Sequence, residues 1–219
     1  MTIKGHSLGI FSHMHIRKDS KILLISSFFG HFALGLLGPI YAIFVQGIGG
    51  DLLDVGIAYA IFSIFTGIFV ILLGTSKFFE KHIRHMVVIG YALLSLSCLG
   101  YIFVHNPIQL FIVQIIMGIA SGILEPSWDS LFAEKMPAKD ASKNWALWSG
   151  GASLMIGVSA IVGSLIASKL SFQIMFILMF IVSLGAMINS IRIIRGKSKN
   201  AKRFNKIFCT AKIGGFLLK

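Results

Sequence analysis

Long apolar stretches separated by short polar connections are the dominant pattern along this chain. Six of them are long enough to cross the hydrocarbon core of a bilayer, which takes about 20 helical residues. They lack the alternation of apolar and polar positions that marks a membrane-spanning strand, so helices are expected. The six spans are predicted near residues 22–46, 55–74, 86–104, 108–133, 144–168 and 172–194.

The composition supports an integral membrane protein. Of the 219 residues, 56% are hydrophobic and 13% are charged, which is unlike a soluble domain. We expect a polar lead at 1–20, a six-helix bundle at 21–195 and a basic tail at 196–219. The lead does not resemble a cleavable signal peptide, because the first apolar run is too long. Cys98 and Cys209 suggest neither a disulfide framework nor a metal site.

The net charge of +12 would suit a nucleic-acid-binding protein, but the positions of the charges indicate otherwise. All but one of the 20 basic residues fall on one side of the predicted spans, and the exception is Lys169. This positive-inside pattern predicts a plasma or inner membrane protein with both termini in the cytoplasm. The lysine-rich tail is expected to bind anionic lipid rather than nucleic acid.

One short segment occurs twice. Residues 35–41 read GLLGPIY and residues 122–128 read GILEPSW, an offset of 87 positions. The same offset places spans one, two and three onto spans four, five and six. Repeats with an odd number of spans have opposite orientations in the membrane, which is the inverted-repeat design of secondary transporters. The predicted fold class is therefore an all-α integral membrane bundle of two inverted three-helix repeats.

Residues 21–195 resemble the N-terminal six-helix half of a major facilitator superfamily transporter. The resemblance is carried by GPIYAIF in span one, the Gly74 to Arg84 connection, the glycine-rich approach to Pro126 with FAEKMPAKDASKNWALWSGG after it, and the Leu170–Phe172 start of span six. It implies alternating access by rocking of two bundles. This chain has six predicted spans where the family has twelve, and its loop acid follows Gly74 by six residues instead of four. Span five also lacks the glycine-proline pair typical of the family's antiporters.

Span four contains the main candidate site. Its small and polar residues share one helical face, because they are spaced three and four apart: Gln114, Gly118, Ser121, Gly122, Glu125 and Asp129. Glu125 lies roughly 25 Å along the helix. Either Glu125 is a proton or cation site facing a central cavity, or it is a structural partner for a basic residue such as Lys81 or Arg84. The structural role is favoured for Asp129, which lies nearer the interface.

Span one contributes His31, roughly 15 Å into the membrane by the helical rise, and Tyr41 on the same face. Histidine changes charge under mild conditions, which suits proton coupling or cation sensing. The alternative is a neutral imidazole that forms a hydrogen bond between helices. With Gln114, Glu125 and Asp129, these residues are the predicted substrate or ion pathway.

The resemblance also implies a cytoplasmic gate. The connection after span two would hold Gly74, Glu80, Lys81 and Arg84, and its charged residues would latch onto span four. The tryptophans Trp128, Trp145 and Trp148 are expected to form an interfacial aromatic belt rather than a substrate platform. The small residues of spans two and five are expected to serve helix packing. The lead histidines His6, His13 and His15 are too loosely spaced to specify a metal.

We therefore expect a secondary transporter for a small solute, with protons as a candidate coupling ion. It would need a second six-helix bundle, either another copy of the chain or a separately encoded half. No catalytic motif or cofactor motif occurs, so neither an enzyme nor a cofactor is expected. The alternatives are a truncated, non-transporting membrane protein and a six-span solute-binding subunit of a larger importer.

Overall fold

A computed structural model describes residues 18–135 and 141–194, and within these residues the chain is helical without a strand. Its helices are α1 (Lys18–Leu37), α2 (Tyr41–Gly47), α3 (Leu52–Gly74), α4 (Lys77–Tyr101), α5 (Pro107–Lys135), α6 (Ala141–Lys169) and α7 (Phe172–Ile194). A short 3-10 turn at Gly38–Ile40 joins α1 to α2, and these three elements form the first span. Within the described residues, six spans are long and apolar enough to cross a membrane, which confirms the predicted all-α fold class. The lead histidines, Cys209 and the basic tail lie outside the described residues.

Local capping chemistry defines the helix ends at the side of the membrane away from the basic residues. The Asp54 amide donates to the Asp51 carboxylate and the Asp51 amide to the Asp54 carboxylate, both at 3.0 Å. This reciprocal pair begins α3. The Asn106 side chain accepts from the Gln109 amide at 3.0 Å, and Pro107 occupies the first position of α5. The connections between helices on this side of the membrane are short.

The third span begins earlier than the apolar pattern predicts. Helix α4 begins at Lys77 rather than near residue 86, because the Ser76 hydroxyl caps it by accepting from the Phe79 amide at 3.4 Å. Glu80, Lys81 and Arg84 consequently lie on a helix, and the prediction that they belong to a loop was wrong. His82 interrupts the helical backbone with φ −111° and ψ 18°, so a kink separates the first turns from the rest of α4.

The arrangement of the helices has the symmetry of the sequence repeat. Helix α5 packs against α3 and α4, helix α1 packs against α6 and α7, and α4 packs against α7. An offset of 87 residues relates α1 to α5, α3 to α6 and α4 to α7. If each helix is replaced by its equivalent in the other repeat, the same set of helix contacts results. This is the arrangement expected of two inverted three-helix repeats.

Two glycines make this symmetric packing possible. A Cβ atom on Gly122 would lie 2.5 Å from Phe69 Cβ on α3, and one on Gly35 would lie 3.1 Å from Ile156 Cα on α6. Gly122 lies 87 positions after Gly35, and Ile156 lies 87 positions after Phe69. The two contacts are therefore equivalent in the two repeats. Small residues at these crossings let the backbones approach closely, as is typical of helix packing in lipid.

Most glycines of the small-residue stripes of α3 and α6 lie outside the packed interior of this bundle. Added Cβ atoms at Gly56, Gly67, Gly150 and Gly157 would meet nothing within 4 Å. Only 6% of the most apolar stretch of α3 and 17% of that of α6 is buried, against 50% for α5. Most glycines of these two stripes therefore face outward from the bundle and do not pack helices within it, so their expected role in helix packing stays a prediction. Two other glycines of α6 are packed, since Gly163 contacts the Leu36 carbonyl and Gly151 contacts the Phe28 ring.

Candidate functional site between the two repeats

A cavity of about 300 Å³ lies between α1, α4, α5 and α6. The polar residues that line it come from both repeats. They include Ser27 and His31 of α1, Ser121, Glu125 and Asp129 of α5, and Trp148 of α6. The structure thus brings together three of the five predicted pathway residues, namely His31, Glu125 and Asp129.

The two carboxylates are open to the cavity. Glu125 and Asp129 lie one turn apart on α5, so both project from the same helical face, and both are exposed. Neither forms an ion pair or a hydrogen bond with any residue in the described part of the chain. The nearby base on the same helix, Lys135, is already paired, with Glu134 at 3.0 Å and Asp19 at 3.9 Å. The expected alternative, a structural partnership with Lys81 or Arg84, is not formed among the described residues.

Arg84 has a different contact in this structure. Its guanidinium donates to the carbonyl oxygen of Ile193 at 3.1 Å, near the end of α7. A cation at the carboxyl end of a helix is favourable, because the last carbonyls carry a partial negative charge. Glu80 and Lys81 are exposed at the start of α4, and Gly74 ends α3 in open space. The latch between these residues and α5 stays a prediction.

The hydrogen bonds of His31 define which ring nitrogen carries the proton. Its Nδ1 lies 2.8 Å from the Ser27 carbonyl oxygen. A carbonyl oxygen can only accept, so Nδ1 carries the hydrogen and donates within α1. The neutral ring therefore has Nε2 as an acceptor on its other side. The expected alternative placed this imidazole between helices, whereas its hydrogen bond stays within its own helix and the residue lines the cavity.

An aromatic cluster closes one end of the cavity. Trp128 and Trp148 have ring centroids 5.1 Å apart, and Trp128 also stacks on Phe132 at 4.5 Å. The Trp128 indole donates to the Leu23 carbonyl at 3.1 Å, and the Trp148 indole donates to the Ser27 hydroxyl at 2.9 Å. Trp128 is only 4% exposed, so the expectation of a lipid-facing belt was wrong for this residue.

The remaining two pathway residues form a bridge outside the cavity. The Gln114 side-chain amide donates to the Tyr41 hydroxyl at 2.5 Å and so connects α5 to α2. Gln114 is buried, and its Oε1 atom has no hydrogen-bond partner among the described residues. The predicted face of α5 is therefore divided, since Gly118 and Gly122 pack on α3 and only Ser121, Glu125 and Asp129 line the cavity.

Some residues that shape the site were not identified from the sequence. Ser27 precedes His31 by one helical turn, and that spacing could have identified it as a hydrogen-bond partner. The role of Trp148 depends on the approach of α6 to α1, which local spacing does not encode. Asn189 of α7 likewise donates to the Ile22 carbonyl at 3.0 Å and to the Ser26 hydroxyl at 2.9 Å. Helices α5, α6 and α7 therefore all donate hydrogen bonds to the same end of α1.

Comparison with known proteins decides the family. The sequence profile of the Major Facilitator Superfamily matches residues 23–209, which is most of the chain. The chain belongs to the Major Facilitator Superfamily. An uncharacterized MFS-type transporter of Methanocaldococcus jannaschii is 25% identical over 153 residues, which are 69% of this chain and 39% of that relative. The match therefore spans well under half of the relative's length.

Membership in the Major Facilitator Superfamily makes this chain a multi-pass membrane protein of a transporter family rather than of an enzyme family. The cavity between its two repeats offers carboxylate, imidazole and aromatic groups in one place. Such groups can bind a solute or exchange a proton. Within residues 18–135 and 141–194, no three His, Cys, Asp or Glu side chains are grouped to hold a metal ion.

Proposed function

We propose that this chain forms one half of a secondary transporter that moves a small solute by alternating access, with the cavity between its repeats as the solute site. The observation that supports this proposal most strongly is that His31, Glu125 and Asp129 line one cavity. Neither carboxylate has an ionic partner among the described residues. Ionisable residues inside a membrane bundle are costly and usually mark substrate or ion pathways. Tyr41 and Gln114 would line the pathway nearer the membrane surface that lies opposite the basic residues.

A second six-helix bundle would supply the other wall. The open faces of α3 and α6 support this, because their glycines at 56, 67, 150 and 157 would let another bundle approach closely. The relative's greater length also supports it, since the matched 153 residues are 39% of that protein. The second bundle would be another copy of this chain or a separately encoded half.

The proposed orientation places both termini in the cytoplasm of the cell that makes the protein. Basic residues of the described helices cluster at one end of the bundle: Lys21, Lys77, Lys81, Arg84, Lys135, Lys143 and Arg192. Among the described residues, Lys169 is the basic residue at the opposite end. This asymmetry supports a cytoplasmic location for the basic end. Glu80 and Lys81 would then act at the inner gate when the cavity closes.

Reconstitution into vesicles tests the transport proposal. The purified chain would be placed in vesicles that contain a pH-sensitive dye, and radiolabelled amines, carboxylates and sugars would be added with and without a pH gradient. We expect accumulation of one solute class above the level in empty vesicles, and a matching change in luminal pH if protons are exchanged. Absence of flux for every class would contradict the proposal and favour a non-transporting protein or an importer subunit.

Two matched variants test the second bundle. Gly157→Trp fills an open position on α6, so we expect the chain to fold but flux to fall at least tenfold. Ile181→Trp places the same bulk on the exposed face of α7, where the side chain is 58% exposed, and should leave flux within twofold of the parent. Equal flux in the two variants would contradict the proposed docking face.

A further inference from the structure

We propose that the cavity binds a cationic organic solute, a primary ammonium compound whose charge lies near Glu125 and Asp129 and whose apolar body contacts Trp148. This inference rests on the proposed function of the cavity and names the class of its solute. The cavity presents two carboxylates and an aromatic ring, whereas the ring N–H donors around it are already bonded to α1.

The carboxylates provide the negative charge. Glu125 and Asp129 are both exposed on the cavity side of α5, and neither has an ionic partner among the described residues. The nearest base along the helix, Lys135, is 8% exposed and is already paired with Asp19 and Glu134. Two carboxylates without a countercharge repel an anionic solute and attract a cation, and the attraction is strengthened in a site of low dielectric constant.

The indole and imidazole donors are already bonded to acceptors on α1. The Nε1–H groups of Trp128 and Trp148 donate to Leu23 and Ser27 on α1. The Nδ1–H of His31 donates to the Ser27 carbonyl, so neutral His31 has Nε2 left as an acceptor. The hydroxyls of Ser121 and Tyr91, which also line the cavity, can donate or accept. The lining therefore offers acceptors for a donor-rich solute and no fixed donor for an anion.

The aromatic wall suits the apolar part of such a solute. Trp148 is half-buried, whereas Trp128 lies behind it at 4% exposure, so Trp148 provides the accessible ring. His31 meets Trp148 edge to face at a centroid distance of 6.1 Å. A cation near the face of an indole is attracted by the negative face of the ring. The cavity volume of about 300 Å³ is at the lower end for ligand sites, which indicates a small solute.

Binding of three matched compounds to the purified full chain tests the inference. The probes are 2-phenylethylammonium, neutral 2-phenylethanol and anionic 3-phenylpropionate, measured by titration calorimetry in detergent. We expect the ammonium compound to bind at least tenfold more tightly than the other two. Equal affinity for all three, tighter binding of the anion, or no binding of the ammonium compound would overturn the proposal.

Substitutions identify the groups that bind the charge. We expect Glu125→Gln and Asp129→Asn each to weaken ammonium binding about tenfold, because each removes a charge-assisted hydrogen bond to the ammonium group. Trp148→Leu should weaken it several-fold. The matched control is Glu134→Gln, which removes a carboxylate from the same helix outside the cavity and should leave affinity unchanged. An equal loss in Glu134→Gln, or no loss in either cavity variant, would overturn the assignment.

Failure of this inference and failure of the transport proposal give different results. Ammonium binding that depends on Glu125 and Asp129, without flux in vesicles, supports the cation site and contradicts transport. Flux of a neutral or anionic solute, without selective ammonium binding, supports transport and contradicts the cation site.

Discussion

The two repeats use the same packing for different chemistry. Gly35 lets α1 approach α6 at Ile156, and Gly122, which is 87 positions later, lets α5 approach α3 at Phe69. Three and seven positions after these glycines the repeats diverge, because the first has Gly38 and Ala42 where the second has Glu125 and Asp129. The repeat thus preserves the helix crossing while only one copy contributes carboxylates to the cavity.

The prolines of the repeats also differ in their structural effect. Pro39 occurs in a 3-10 turn that interrupts the first span, whereas Pro126 lies inside the continuous helix α5. Proline removes a backbone donor and disfavours a regular helix at the preceding turn. The same residue at equivalent positions has therefore produced a break in one span and none in the other. A continuous α5 keeps Glu125 and Asp129 one helical turn apart on one side.

The aromatic residues that follow the prolines make reciprocal contacts between the repeats. Tyr41 accepts a hydrogen bond from Gln114 of α5, and Trp128 donates one to Leu23 of α1. Each lead helix is therefore joined to the other by the aromatic residue of its repeat. The two segments that are similar in sequence therefore also occupy equivalent places in the tertiary structure.

The largest expected effect comes from filling the helix crossings. Gly122→Val would place new atoms against Phe69 Cβ and the Thr66 carbonyl oxygen, which would lie 2.5 and 2.9 Å from the added Cβ atom. Overpacking of this kind costs about 3 kcal/mol. Gly35→Ala should cost less, about 1 kcal/mol, because part of its clash is with the movable Ser159 side chain. The free energy of unfolding in mixed detergent micelles measures both.

Gly157→Ala is the matched control for the crossings. Its new Cβ would meet nothing within 4 Å, so stability should stay within about 0.5 kcal/mol or rise slightly. A loss in this control as large as that in Gly122→Val would show that the crossings are not where the bundle is tightest.

The next effect tests the reciprocal hydrogen bonds. Tyr41→Phe removes the hydroxyl that accepts from the buried Gln114 amide, which should destabilise the bundle by about 1–3 kcal/mol. Trp128→Phe should cost about 1 kcal/mol from the lost bond, because the Leu23 carbonyl keeps its helical partner. The combined variant Tyr41→Phe with Gln114→Leu should recover most of the first loss. Simple additivity in the double-mutant cycle would contradict the bridge.

The smallest effect should come from the diverged positions. Glu125→Gln and Asp129→Asn should each change the free energy of unfolding by about 0.5 kcal/mol or less, because neither has an ionic partner among the described residues. Gly38→Ala, at the position equivalent to Glu125, should be equally mild, since its Cβ would meet nothing within 4 Å. A loss of about 3 kcal/mol or more in Glu125→Gln would reveal a buried ion pair and favour the structural role.

Much of this fold could be predicted from sequence, because membrane thickness determines the length of the apolar runs and the repeat offset relates the two halves. The start of α4 could not be predicted, because the charged residues from Lys77 to Arg84 interrupt the apolar pattern although they belong to a helix that Ser76 caps. Glu125 and His31 were identified as candidates from their depth. That both face one cavity depends on how α1 crosses α5, and that Trp128 is buried depends on the approach of α6, so neither follows from local spacing.

Cysteine accessibility tests most directly the central claim that the cavity between the repeats is open to water within the membrane. In a Cys209→Ser background, Cys98 stays 0% exposed, and a new cysteine can replace cavity-lining Leu34 or outward-facing Ile181. Both positions lie midway along their spans. We predict that a charged, membrane-impermeant maleimide labels Leu34→Cys in membranes and leaves Ile181→Cys unlabelled. Labelling of Ile181→Cys alone, or of neither variant, would contradict the account.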